Sequence, residues 1–250
     1  MGEWQERPFC LEGTRRRVVA GLIALALMAG ICPADAAPVR SAIVSLALWD
    51  SPVFRSEASG AARVLKRRYG GGGPVIVRAN TRKNLAAGPR GMMKALAVAE
   101  RGMRPAEDVL FLVLTSHGSP DGIAEKGTGM EGLLPPRALA QALAQSAFRK
   151  KVLIVSACYS GIYTTLANSD TLVITAADAT HPSFGCEEGN TWTYFGDAFF
   201  NRALGQPGSL AERFAEAREL IRAREEAQRF EPSNPQLAGG ENVLAVLDAQ

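Results

Sequence analysis

The sequence predicts an α/β protein built on a mostly parallel β-sheet. From about Ala42 onward, short runs rich in valine, isoleucine and leucine alternate with longer segments whose apolar residues recur every three or four positions. The short runs are typical of strands that are buried on both faces, and the longer segments are typical of amphipathic helices. Their alternation favours parallel strands joined by crossover helices.

Five strands and four helices follow from these patterns. The predicted strands are Ala42–Leu48, Pro74–Arg78, Asp108–Thr115, Lys151–Ala157 and Thr171–Ala176. The predicted helices are Glu57–Tyr69, Arg90–Arg101, Pro136–Phe148 and a long helix that ends at Gln228. The long helix begins with a capping box, because Ser209 lies three residues before Glu212.

The N-terminal residues have the pattern of an export signal. Three arginines, at positions 15–17, precede an apolar run from Val18 to Ile31. That run is shorter than the roughly 20 apolar residues of a transmembrane helix, and small residues in an Ala-x-Ala pattern follow it. We therefore predict a signal peptide over residues 1–36, one domain over residues 37–250, and an exported protein, periplasmic or secreted, with no membrane span after cleavage. An uncleaved membrane anchor is the alternative.

Composition and cysteine content limit the function classes. Hydrophobic residues make up 47% of the 250 residues and charged residues 21%, which is ordinary for a globular protein. The glycines at positions 70–73 lack the lysine and the strand-to-helix context of a phosphate-binding loop, and we expect no nucleic-acid partner. Cys10 and Cys32 lie in the signal segment, so the domain keeps Cys158 and Cys186, too few for a disulfide scaffold. These two either form a disulfide or leave one nucleophilic thiol.

His117 and Cys158 follow the carboxyl ends of two consecutive predicted strands. In open parallel sheets, ligands bind and reactive groups collect at this edge. An imidazole within hydrogen-bond reach of a thiol can take its proton and later return it to a leaving amine. The backbone amides of Gly118 and Cys158 are the expected donors to a tetrahedral oxyanion.

Less specific interpretations exist for the same residues. Cys158 alone fits a buried structural thiol, because free cysteine is among the most buried residue types. A zinc site is a second alternative, since His117, His181, Cys158 and Cys186 give four ligands, although their spacing is not that of a zinc knuckle. His181 is also a rival general base, but it precedes Pro182 in a turn-like stretch. Catalysis is favoured because His-Gly and Ala-Cys each occur at equivalent strand ends, in a chain with two histidines.

Three runs of sequence resemble bacterial members of the legumain, or asparaginyl endopeptidase, family. They are LTSHGSPDG at 114–122, VSACYSG at 155–161 and ITAADATHPSFGCEEGNTWTYFGDAFF at 174–200. The resemblance implies a caspase-like three-layer α/β/α sandwich and a cysteine peptidase that acts on peptides or proteins without a metal or an organic cofactor. It also implies a catalytic dyad formed by the histidine of the His-Gly motif and the cysteine of the Ala-Cys motif, which are His117 and Cys158 here.

The expected substrate pocket differs from that of the family. Plant and animal legumains carry an acid two residues before the catalytic cysteine, whereas this chain has Ser156 there. The preference for asparagine is therefore not implied. Glu187 and Glu188 fall near the region that supplies pocket acids in the family, and solvated loop acids are the alternative. Asp50 is a candidate to orient His117, with a turn residue before Pro52 as its alternative.

The leading hypothesis is an exported cysteine endopeptidase that works through an acyl-enzyme. A peptide ligase or transamidase using the same dyad is a chemical variant, in which an amine replaces water as the acceptor. A non-catalytic binding module with the caspase fold belongs to a different functional class.

Overall fold

A seven-stranded sheet in the order β10-β9-β8-β4-β1-β2-β3 lies at the centre of the structure. The computed structural model describes residues 38–127, 130–187 and 189–249. The predicted signal peptide lies outside these residues, so its cleavage and the export of the protein stay predictions. The strands are β1 (Ser41–Ala47), β2 (Val75–Thr81), β3 (Asn84–Leu85), β4 (Val109–Thr115), β5 (Gly118–Ser119), β6 (Gly122–Gly127), β7 (Met130–Leu134), β8 (Lys150–Ser156), β9 (Thr171–Thr175) and β10 (Gln236–Ala238).

Helices connect the strands of this sheet. They are α1 (Pro52–Tyr69), α2 (Pro89–Ala99), α3 (Pro136–Ala144), α4 (Tyr194–Gly196), α5 (Leu210–Gln228) and α6 (Glu241–Leu247), with a 3₁₀ helix at Ser160–Leu166 and a π-helical segment at Asp197–Ala203 that continues α4. The first three α-helices each begin with a proline. Proline suits this position because its missing N–H would have no partner within the helix.

The helices cover both faces of the sheet. Side chains from α1, α5, α6 and the π-helical segment form one buried apolar cluster with the sheet, and side chains from α2 and α3 form the other. All seven residues of β1 and of β4 are buried, which is why these strands are recognisable as uninterrupted apolar runs. The predicted three-layer α/β/α arrangement with a mostly parallel sheet is confirmed: β9, β8, β4, β1 and β2 are parallel, and the two edge strands are antiparallel to their neighbours.

The register between β4 and β8 places the two candidate catalytic residues side by side. Thr115, the last residue of β4, pairs with Ser156, the last residue of β8. His117 and Cys158 each follow two residues later. Both residues therefore leave the sheet at the same edge from neighbouring strands.

Several elements differ from the prediction. A small antiparallel sheet, in the order β5-β6-β7, was not predicted, because its segment is rich in glycine and lacks a long apolar run. Helix α1 begins at Pro52 rather than Glu57, and α3 ends at Ala144 rather than Phe148. Phe148 is buried beyond the end of α3, so its apolar character reflects core packing rather than a further helical turn. Over the described ranges, none of the helices combines the length and the apolar character needed to cross a membrane.

Candidate active site

Cys158 lies in a tight turn between β8 and the 3₁₀ helix. Its side chain is partly exposed and its thiol is free. The next residue, Tyr159, has a left-handed backbone with φ of 56°, and its amide donates to the carbonyl oxygen of His181 at 2.9 Å. A left-handed conformation costs a residue other than glycine on the order of 1 kcal/mol. Such strain is typical of functional sites.

The thiol of Cys158 contacts the backbone of Ser183. Its Sγ donates to the carbonyl oxygen of Ser183 at 3.3 Å and accepts from the Ser183 amide at 3.3 Å. No hydrogen bond joins Sγ to His117 within the described residues. The segment around Ser183, which follows β9, therefore forms one side of the site.

The imidazole of His117 is held by aromatic rings. The rings of Trp49 and Phe54 both meet it edge-on, each with its centroid 5.0 Å from that of the imidazole. Neither ring nitrogen of His117 has a hydrogen-bond partner among the residues that the structure describes. Partial burial lowers the pKa of His117, and the positive charge of Lys126 lowers it further. The neutral imidazole, which can accept a proton, is thereby favoured.

Two backbone amides near the thiol are unused. The amide of Ala124 in β6 donates to the carbonyl oxygen of His117 at 2.8 Å, so these two residues form a hydrogen-bonded pair. Hydrogen-bonded and non-hydrogen-bonded pairs alternate along an antiparallel ladder, so the next pair, Gly118 with Ile123, is not hydrogen-bonded and the Gly118 amide points away from β6. Consistent with this, the Ile123 amide donates to the phenol oxygen of Tyr163 at 2.8 Å. The Cys158 amide also has no acceptor within the described residues. Both predicted oxyanion donors are therefore available.

Gly118 lies directly against the backbone of Cys158. A Cβ atom at position 118 would be 2.1 Å from the carbonyl oxygen of Cys158 and 3.2 Å from the Cβ of Ala157. Only glycine permits this approach. The backbones of Gly118 and Cys158 are therefore brought into contact by tertiary packing.

Asp50 and Ser156 do not take the positions suggested by their predicted roles. Asp50 forms an ion pair of 2.6 Å with Arg55, and no hydrogen bond links it to the imidazole of His117. Ser156 is only 1% exposed, and its hydroxyl lies 3.3 Å from that of Thr193. Because it is so deeply buried, the Ser156 side chain does not line an open pocket.

The second cysteine and the two loop acids lie on the same segment. Cys186 is a free thiol that packs against an apolar cluster containing Phe54, and burial, followed by the nearby Cys158 and Glu187, raises the pKa of its thiol. Glu187 is exposed and accepts a hydrogen bond from the Asn190 side chain at 3.0 Å, as a solvated loop acid does. Glu188 lies outside the described residues.

His181, the rival base, pairs with a carboxylate. Its Nδ1 lies 2.7 Å from Asp178 Oδ2, and its backbone carbonyl holds Tyr159. Hydrogen bonds from Thr180, Asn234 and His181 hold the pKa of Asp178 below its ordinary value, although its desolvation opposes them. His181 and Asp178 thus stabilise the turn beside Cys158. Among the described residues, no three histidine, cysteine, aspartate or glutamate side chains are grouped so that they could hold a metal ion.

Several residues of the site were not predicted from the sequence, namely Trp49, Phe54, Glu57, Lys126, Ser183 and Thr193. Most of them carried no sequence signal, because their roles depend on contacts between distant segments. Glu57 was an exception. It lies four residues after Val53 and four before Ala61, on the buried face of α1. A charged residue on the apolar stripe of a helix is a sign of an internal polar contact.

We expect the Lys126→Met variant to shift the acid limb of the pH profile of kcat/KM toward higher pH. Lys126 lowers the pKa of His117, so its removal makes the imidazole easier to protonate. Lys126 also pairs with Glu131, and the carboxylate left unpaired would act in the same direction. The profile is measured with one peptide substrate between pH 4 and pH 9. The exposed Lys94→Met variant is the matched control, and an identical acid limb in both variants would refute this electrostatic role.

Comparisons with known proteins bear on both the family and the fold. Residues 90–243 match the sequence model described as the peptidase C13 family. Caspase-1 from Spodoptera frugiperda superimposes with a TM-score of 0.55 at 12% identity, covering 80% of this chain and 86% of that chain. The structure of pro-sf-caspase-1 gives a TM-score of 0.53 at 12% identity, covering 80% of this chain and 91% of that chain. No curated protein matches the sequence. At 12% identity the structural matches show the fold alone, and they confirm the predicted caspase-like architecture.

Proposed function

This chain belongs to the peptidase C13 family, and on that premise we propose that it is a cysteine endopeptidase in which Cys158 is the nucleophile and His117 is the general base. Family membership supports a cysteine peptidase type of activity that acts on proteins or peptides. The assignment of the two residues and of the chemistry is our own.

One observation carries the assignment. The paired residues Thr115 and Ser156 end neighbouring parallel strands, and His117 and Cys158 each follow two residues later. The Gly118 backbone then approaches that of Cys158 so closely that a Cβ atom would lie 2.1 Å from its carbonyl oxygen. A thiol, an imidazole and two unused amides are therefore collected at one edge of the sheet.

The first step transfers the thiol proton of Cys158 to a nitrogen of His117. In the structure Sγ donates a hydrogen bond to the carbonyl oxygen of Ser183, so the proton transfer requires rotation of the cysteine side chain. Catalytic hydrogen bonds commonly form only when substrate is bound. The lowered pKa of His117 leaves its imidazole neutral and able to accept the proton.

Attack by the thiolate then produces a covalent intermediate. The sulfur bonds to the scissile carbonyl carbon, and the resulting oxyanion is stabilised by the amides of Gly118 and Cys158. The His117 imidazolium returns its proton to the leaving amine as the C–N bond breaks, which leaves a thioester. Water attacks the thioester carbon while His117 takes a proton from that water. The C–S bond then breaks, the carboxylic product leaves, and the His117 imidazolium returns its proton to the sulfur, which restores the thiol.

We also propose that the protein acts outside the cytoplasm. This follows from the arginine-led apolar segment and the small residues before Ala37. Sequencing the N-terminus of the protein recovered from its native host tests the proposal. A mature chain that starts at Ala37 supports it, whereas a mature chain that retains its first residues contradicts cleavage.

A library of peptides carrying a thiol-reactive group tests the proposed dyad. Wild-type protein is compared with Cys158→Ala, His117→Ala and Cys186→Ala, and peptide mapping locates the labelled cysteine. We expect labelling of Cys158 in the wild type and in Cys186→Ala, much slower labelling in His117→Ala, and no labelling of the Cys158→Ala variant. The residue next to the reactive group in the preferred probe also reports the specificity of the pocket.

The other outcomes separate the alternatives. Unchanged labelling in His117→Ala would remove that residue as the base, and His181 would be the next candidate. A wild-type protein that takes no probe and cleaves no peptide would favour the non-catalytic binding module. When peptide substrate is supplied together with a free amine, a new amide product would indicate the ligase variant, and a carboxylic product alone would indicate hydrolysis.

A further inference from the structure

Glu57 places a carboxylate in the interior beneath the candidate active site. Its side chain, on α1, is fully buried. Its Oε1 accepts from the Thr115 hydroxyl at 2.8 Å, and its Oε2 accepts from the Thr193 amide at 2.9 Å and from the Thr193 hydroxyl at 2.6 Å. No lysine or arginine among the described residues pairs with it. Burial raises the pKa of Glu57, and the surrounding hydroxyl and amide donors oppose that rise.

The partners of this carboxylate belong to the strand ends that carry the dyad. Thr115 lies two residues before His117, and Ser156 lies two residues before Cys158. The Ser156 hydroxyl is 3.3 Å from that of Thr193, and Thr115 pairs with Ser156 in the sheet. Through Thr115 and Thr193, the Glu57 carboxylate therefore connects the ends of β4 and β8 in the protein interior.

The same carboxylate positions the segment that contacts the thiol. Thr193, which Glu57 holds, caps α4 by accepting from the Gly196 amide at 2.9 Å. The amide of the next residue, Tyr194, donates at 2.9 Å to the carbonyl oxygen of Phe184. Phe184 follows Ser183, whose backbone contacts Sγ of Cys158. A short chain of contacts thus runs from Glu57 to the nucleophile.

The side chain of Glu57 and the adjacent ring of Trp192 are packed tightly against glycine residues. A Cβ atom at Gly196 would lie 2.0 Å from Oε2 of Glu57, and one at Gly60 would lie 2.2 Å from the ring of Trp192. Burying a carboxyl group without an opposite charge is a costly way to stabilise a fold, and apolar residues of similar volume usually stabilise it as well. Holding three segments in one geometry, by contrast, requires a group with several acceptor positions.

We propose that Glu57 is a positioning residue for the reaction proposed above, which holds the strand ends of His117 and Cys158 and the Ser183 segment against one another. It does not touch the reacting atoms. Because this role presupposes the Cys158–His117 dyad, its test must be able to fail separately from that of the dyad.

The test compares Glu57→Ala and Glu57→Gln with the wild type. We expect Glu57→Ala to lower kcat/KM by about 100-fold, mainly through kcat, because a displacement of about 1 Å in a catalytic group has an effect of that size. The rate of alkylation of Cys158 by iodoacetamide should fall as well. Glu57→Gln should restore most of both rates, because its amide oxygen can accept from Thr193 while its amide nitrogen donates to the Thr115 hydroxyl.

Asp108→Ala is the matched control. Asp108 is also a fully buried carboxylate, but it lies at the opposite end of β4 and accepts from the Arg40 and Arg104 amides at 3.1 and 2.8 Å. We expect its removal to lower the unfolding temperature without changing the kinetics of the folded protein. Equal kinetic losses in Asp108→Ala and Glu57→Ala, or wild-type kinetics in folded Glu57→Ala, would overturn the proposal.

The Thr115→Val variant and the alkylation rate of His117→Ala separate the role of Glu57 from misfolding and from failure of the dyad. If Glu57→Ala does not fold, Thr115→Val removes one donor while preserving the shape of the strand. Slower alkylation of that variant supports the proposal, and wild-type rates refute it. If His117→Ala leaves alkylation unchanged while Glu57→Ala slows it, the dyad is wrong and the positioning of Cys158 by Glu57 stands. If only His117→Ala slows it, the dyad stands and the role of Glu57 is refuted.

Discussion

We expect the replacement of Cys158 with serine to lower the rate of peptide hydrolysis by roughly 10⁴-fold or more, the size of loss seen when a catalytic nucleophile is removed. A serine hydroxyl ionises far less readily than a thiol, so it depends on a strong general base. In the Ser-His-Asp triad that base is a histidine whose second nitrogen is held by a carboxylate. A site without such support is suited to a thiol and not to a hydroxyl.

The environment of His117 supplies no such support. Its imidazole lies between Trp49 and Phe54, its pKa is lowered, and neither nitrogen has a hydrogen-bond partner among the described residues. The carboxylate of Asp50 is engaged by Arg55 instead. We therefore expect Cys158→Ser to be almost as inactive as Cys158→Ala.

The measurement is the initial rate of cleavage of the peptide preferred in the probe library. Cys186→Ser is the matched control, because Cys186 is the other free cysteine of the described residues and packs against an apolar cluster. We expect that variant to keep the wild-type rate. Substantial activity in Cys158→Ser, or an equal loss in Cys186→Ser, would contradict the assignment of the nucleophile.

We expect the replacement of Gly118 with alanine to lower kcat/KM by about 10²- to 10³-fold, the range that follows from the loss of an oxyanion donor or from a displacement of about 1 Å. The new methyl group would lie 2.1 Å from the carbonyl oxygen of Cys158. That distance is too short for any non-bonded contact, so the β5 strand and the Cys158 turn must separate. The imidazole, the thiol and both amides then lose their relative positions together.

Gly132→Ala is the control for this variant. Gly132 lies in β7 of the same small sheet, where the nearest atom to a new Cβ is Glu125 Oε2 at 4.0 Å. We expect it to keep the wild-type kcat/KM. Thermal unfolding of both variants separates a local displacement from general destabilisation. A folded Gly118→Ala protein with wild-type kinetics would show that the close approach is not needed for catalysis.

The elements that could be predicted from the sequence are those whose pattern is local. Strands β1 and β4 are buried along their whole length, so they are uninterrupted apolar runs. The capping box of Ser209 and Glu212 is present as predicted, and it starts α5. The short strands β5, β6 and β7 were not predictable, because a short, glycine-rich hairpin without a long apolar run is stabilised mainly by its contacts with the rest of the fold.

The same division holds for the candidate site. His117 and Cys158 were predicted because each lies just beyond a strand end and within a short motif, His-Gly or Ala-Cys, that resembles those of the legumain family; Gly118 was predicted as the neighbour of His117. All of these are local properties. The burial of Ser156 and the ion pair of Asp50 with Arg55 were not predictable, because each depends on a partner from another element. Glu57 was readable as an anomaly on an apolar stripe, but its partners Thr115 and Thr193 are 58 and 136 residues away in the chain.

The layered α/β architecture and the pair of residues proposed for catalysis could be predicted from local patterns, because hydrophobic periodicity, strand ends and short motifs are properties of consecutive residues. The surroundings of that pair depend on contacts between distant segments. The register of β4 on β8 places the two residues together, the Gly118 backbone lies against that of Cys158, and the buried carboxylate of Glu57 connects three distant segments. These features require distant parts of the chain to meet, and no local pattern specifies which segments do so.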